Sequence, residues 1–150
     1  MFALPDPGSA GDARTVTVPR PLLLVDDDEH SARATEARLV RAGYLVATET
    51  RGDAVLKLVR TLFMPLVVTE LDIPCADGPC LATVLGRERH RFPRLRVVVL
   101  TRHGGPADIV RAIAARCDAI CAPGWPGASL VASLRRLDDR ARRTPSRGAP

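Results

Sequence analysis

Leu22-Leu-Leu-Val-Asp-Asp-Asp-Glu29 is an aliphatic run that breaks abruptly into four acids. Apolar residues without polar alternation are what a strand covered on both faces requires, and the sudden carboxylates mark where the chain leaves a buried sheet. Four more β-branched or aliphatic runs follow, at 44–48, 66–71, 96–101 and 119–122, so with 22–25 there are five strand candidates. Between them the apolar spacing widens to three or four residues, predicting helices over 31–42, 53–62, 80–89, 107–116 and 128–140. Ala34, Ala37, Leu39 and Val40 are the expected inner stripe of the first helix, with Gly43 as its stop. Pro65 is the expected stop of the second, while Pro106 and Pro126 stand before the fourth and fifth. Strand and helix alternating five times imply a parallel sheet with helices on both faces, because parallel strands need crossover connections. The expected fold class is therefore α/β, a single doubly wound (βα)5 sheet.

The 150 residues suit one domain, and 46% hydrophobic with only 3% aromatic residues means an aliphatic core. No apolar run approaches the roughly 18 residues needed to cross a bilayer. Residues 1–11 lack the basic and apolar regions of an export signal, so a cytoplasmic, unprocessed chain with no membrane partner is expected. Cys75, Cys80, Cys117 and Cys121 are then expected as reduced thiols, their spacing missing the tight pairs of zinc ribbons. The net charge of +5 comes from twenty-one Arg and one Lys against 17 acids. Six of those Arg fall between Arg135 and Arg147, where a solvated helix face and tail are expected rather than a nucleic-acid site. Residues 1–19 read as a flexible leader, 20–142 as the folded domain and 143–150 as a disordered basic tail. About ten residues follow Arg140, so no output domain in cis is expected and contact with another protein is the expected output.

Ligands of an open parallel sheet bind beyond the carboxyl ends of its strands. There the runs end in Asp26, Asp27, Asp28 and Glu29; in Glu70, Leu71 and Asp72; in Thr101, Arg102 and His103; and in Ala122 and Pro123. Carboxylates from two strand ends on one rim suit a hard cation such as Mg²⁺. Helix capping by Asp28 or Ser31 accounts for one of these acids and not for all.

These residues carry a resemblance. The stretch from Leu22 to Glu29, the loop Glu70-Leu-Asp-Ile-Pro-Cys-Ala-Asp-Gly78, the strand Val97-Val-Val-Leu-Thr101 and the pair Ala122-Pro123 are similar to the receiver domain of two-component response regulators, over about residues 20–140. The resemblance implies a flavodoxin-like sheet of strand order 2-1-3-4-5. It also implies that Asp26 and Asp27 help hold Mg²⁺, that an Asp before the loop proline accepts phosphate, and that Thr101 and a Lys before the last proline contact the phosphoryl group. This chain departs from that pattern. Glu70 stands at the acceptor position, Ala122 stands where the Lys is lost, Ala119 replaces the usual aromatic, and Arg102 replaces a small residue. The only lysine is Lys57, on the second helix, so no shift of alignment restores an ammonium at the rim.

One extra methylene moves the Glu70 carboxylate by about 1.5 Å, and a misplacement near 1 Å costs on the order of a hundredfold in rate. Asp26, Asp27 and Glu70 repel one another by something like 4 kcal/mol per pair at 4 Å and an effective dielectric near 20. Either a cation compensates, Mg²⁺ or Arg102 folded back onto Glu70 or Asp72, or a carboxyl group stays protonated; a permanent guanidinium would lock the site. The leading expectation is a degenerate pseudo-receiver, not an enzyme, that binds a histidine kinase, a downstream effector or a second copy without phosphorylation. Its expected surface is the fourth helix, fifth strand and fifth helix, with Trp125 as a candidate anchor. The alternative is a Mg²⁺-dependent phosphoacceptor modified slowly on Glu70, or on Asp72.

Overall fold

The computed structural model describes residues 18–76, 78–122 and 129–143. Among these described residues five strands alternate with five helices: β1 (Arg20–Val25), α1 (Glu29–Arg41), β2 (Tyr44–Glu49), α2 (Gly52–Leu62), β3 (Leu66–Glu70), α3 (Leu81–Glu88), β4 (Arg96–Leu100), α4 (Pro106–Ala114), β5 (Ala119–Cys121) and α5 (Leu130–Arg143). All strand pairs are parallel, in the order β2-β1-β3-β4-β5, the flavodoxin-like arrangement.

Successive side chains of a strand point to opposite faces, and each face here has its own core. Leu23 and Val25 of β1, Val67 of β3 and Val97 and Val99 of β4 pack with Val55, Val59, Leu81, Leu85 and Ala112 from α2, α3 and α4. Leu22, Leu24, Val68 and Val98 point the other way, onto Leu39 of α1 and Leu130, Leu134 and Leu137 of α5. Asp138 of α5 accepts a 2.8 Å hydrogen bond from the Tyr44 hydroxyl and pairs with Arg20, which fastens this helix to the first two strands.

The ends of several elements differ from the sequence reading. α1 begins at Glu29, because the Asp28 side chain accepts the Ser31 N–H at 2.9 Å and caps the helix. Its inner face is Thr35 and Leu39, whereas Ala34, Ala37 and Val40 are exposed. Apolar character alone misassigned that stripe: Thr35 and Leu39 are one helical turn apart, and the expected set wraps too far round the helix. Gly43 takes the left-handed turn after α1 (φ 96°). α2 is ended by Phe63, in a left-handed conformation, and not directly by Pro65. α5 runs to Arg143, three residues past its expected end. Pro123, Trp125 and most of the expected leader and tail lie outside the described residues. Among the described residues no helix is long and apolar enough to cross a membrane, and none of the cysteines is in a disulfide.

Candidate functional site

The parallel register brings the carboxyl ends of β1, β3 and β4 side by side, with Val25 opposite Thr69 and Glu70 opposite Leu100. Asp26 follows β1 and is buried; its Oδ1 accepts the Asp28 N–H at 2.9 Å. Glu70 ends β3 and is also buried, and Asp27 beside Asp26 is exposed. Thr101 follows β4, buried and fixed by its N–H to the Cys121 carbonyl at 2.9 Å. Ala122, buried at the end of β5, puts a methyl group at the position expected for the lost lysine. Lys57 is exposed, midway along α2.

Arg102 lies across these acids. Its Nη2 donates to Asp27 Oδ1 at 3.0 Å and stands 3.7 Å from Asp26 Oδ1, while its Nε is 3.7 Å from Glu70 Oε2. One guanidinium thus spans three carboxylates from two strand ends. Asp72 does not join them. Its exposed side chain pairs with Arg111 of α4 at 2.8 Å, and Arg111 is also 3.6 Å from Asp108. Arg111 escaped the sequence reading, since nothing local ties a mid-helix arginine to a loop so far back in the chain.

Burial pushes the Glu70 carboxyl from 4.5 up to about 7; the Arg102 charge pulls it down, and Asp26, Asp72 and Asp27 push it further up. Desolvation therefore outweighs the guanidinium, and near neutral pH this carboxyl is shared between its charged and protonated forms. Two buried oxygens, Asp26 Oδ2 and Thr101 Oγ1, have no hydrogen-bond partner among the described residues. As they stand, the acids do not fit Mg²⁺: among the described residues no three His, Cys, Asp or Glu side chains are gathered to hold a metal ion, and the positive charge at the rim is that of Arg102.

A family model described as "Response regulator receiver domain" matches residues 22–138. Transcriptional regulatory protein AfsQ1 of Streptomyces coelicolor is 30% identical over 122 residues, covering 81% of this chain and 52% of that protein. The chain spans about half the length, or less, of the first curated relatives it matches. Among solved structures, the receiver domain of a signal transduction histidine kinase from Syntrophus aciditrophicus superposes with a TM-score of 0.70 at 22% identity, covering 87% of this chain and 98% of that one. A CheY-like receiver domain protein from Methanospirillum hungatei gives 0.68 at 19% identity, covering 84% and 99%. At these identities the structures speak to the fold alone.

Proposed function

The chain belongs to the response regulator receiver domain family, and from that premise we propose a receiver of two-component signalling that acts by binding another protein without being phosphorylated. The observation that carries this reading is the Arg102 guanidinium set among Asp26, Asp27 and Glu70. A permanent cation there supplies the charge that a metal would otherwise bring and stands in the path of a phosphodonor. The longer Glu70 and the alanine at position 122 weaken transfer further: the first displaces the nucleophile, the second removes a point charge from the phosphoryl group. The proposed partners are a histidine kinase, a downstream effector or a second copy, met through α4, β5 and α5. Val110 and Ile113 of α4 are exposed and offer that surface apolar area.

Intact-mass measurement after incubation with acetyl phosphate and Mg²⁺ tests the proposal. The expected result is an unchanged mass, and beryllofluoride is expected to leave the spectrum unchanged. A phosphoryl adduct that hydrolyses readily and disappears in Glu70→Gln would instead establish a second reading, slow phosphorylation on Glu70. The unpartnered Asp26 Oδ2 and Thr101 Oγ1 favour that second reading, since buried polar oxygens call for a partner. Asp72 is the weaker acceptor, its carboxylate being turned to Arg111.

A further inference from the structure

At the opposite end of the sheet from the acidic rim, where the strands begin, the loops entering β3 and β4 enclose a groove of about 540 Å³. The two loops are tied together where the Arg96 N–H donates to the Pro65 carbonyl at 2.9 Å. Phe63, Met64, Phe92 and Leu95 supply its apolar walls, and Arg91 and Arg94 its cations; among the described residues no acid lines it. Glu88, the nearest acid in sequence, pairs with Arg60 at 2.7 Å and also feels the Arg91 charge, so one acid faces three cations and the exposed Arg91 and Arg94 leave this rim positive.

Phe63 is the informative residue. It sits in the left-handed position after α2 (φ 51°, ψ 44°), where glycine is the usual occupant and a side chain carries a backbone cost. The fold gains little in return, because the residue is 72% exposed. Its ring instead meets Phe92 edge-on, with centroids 5.8 Å apart and planes at 69°. Two of the chain's three phenylalanines are thus spent on an open groove, in a protein with only 3% aromatic residues.

We propose that this groove docks an acidic peptide segment of a partner protein, with an aromatic or branched aliphatic side chain between Phe63 and Phe92 and flanking carboxylates on Arg91 and Arg94. Charge complementarity selects that occupant, and the apolar walls favour an inserted side chain over a nucleic-acid backbone. The proposal concerns the end of the sheet remote from Glu70 and stands whether or not Glu70 is ever phosphorylated.

The test is fluorescence anisotropy of the full chain with a labelled peptide of aspartates alternating with phenylalanine and leucine, beside a lysine-for-aspartate control peptide. The acidic peptide is expected to bind, to weaken as salt rises, and to lose about tenfold or more in affinity in Phe63→Gly and in the double variant Arg91→Glu, Arg94→Glu, the scale of losing one anchor. Phe63→Gly also relaxes the backbone, so its melting temperature is expected to hold or rise while binding falls. A ring needed only for packing would show the reverse, and that result overturns the proposal. Absence of binding by the wild type, equal binding in the variants, tighter binding of single-stranded oligothymidine at the same residues, or a dimer abolished by Phe63→Gly would each overturn it as well.

Discussion

Removing the Arg102 side chain would leave Asp26, Asp27 and Glu70 facing one another with no guanidinium among them. Repulsion of that kind is relieved either by taking up protons or by taking up a cation. Arg102→Ala is therefore expected to raise the Glu70 pKa above its present value near 7 and to bind Mg²⁺ about tenfold or more tightly than the wild type. Calorimetric titration of both proteins checks this; strong and equal Mg²⁺ binding in the two would reject the lock. The same carboxyl makes stability depend on pH, with a sign opposite to that of an ordinary salt-bridged acid. Its folded value, about 7, lies above the ordinary 4.5, so between those values the native state holds more proton than the unfolded state. Stability is then greatest below the unfolded value and is lost as pH rises through the folded one. The loss is on the order of 2–3 kcal/mol between about pH 5 and about pH 8. Urea unfolding is expected to show this loss in the wild type and not in Glu70→Gln, where no charge is buried; a wild type equally stable at both pH values would contradict the assignment.

The helices on the α2–α4 face are held at close range, and Gly86 of α3 shows how tightly. A methyl group there would fall 2.0 Å from the Ala115 carbonyl oxygen, just past the end of α4. Backbone cannot yield as a side-chain tip does, so Gly86→Ala is expected to destabilise by about 1–3 kcal/mol despite its better helix propensity. Thermal unfolding decides it, and an unchanged or raised melting temperature would mean that α3 and α4 separate easily. The five elements on each side of the alternation are legible in the sequence because doubly covered strands are almost continuously apolar: Val97, Val98 and Val99 are all buried. Position along the strands also shows that Asp26, Glu70, Thr101 and Arg102 come to one rim. Which charges pair there is not legible. Arg102 reaches Asp27 as well as Glu70, while Asp72 turns to Arg111 on a different element, and such choices depend on side-chain reach across the fold. Nor does sequence reveal Phe63 in a left-handed turn, since the usual signal for that conformation is glycine.

One sheet separates two cores, and along each central strand the residues that fill one core alternate with those that fill the other. Leu22 and Leu24 cannot keep their places if Leu23 and Val25 lose theirs, because a shift by one residue exchanges the faces. The acidic rim at the carboxyl ends of the strands and the apolar groove at their amino ends are consequently carried by a single cooperative body. Leu134 of α5 and Leu85 of α3 are fully buried on opposite faces and report on this. Leu134→Ala and Leu85→Ala are each expected to cost about 2–5 kcal/mol through lost burial and a residual cavity. In both variants unfolding should stay a single transition with an unchanged denaturant slope, followed by circular dichroism and by amide exchange of the central strands. If Leu134→Ala instead populated an intermediate in which the α2–α4 face stayed protected while α1 and α5 had opened, the two cores would be separate units. The rim could then move without disturbing the groove.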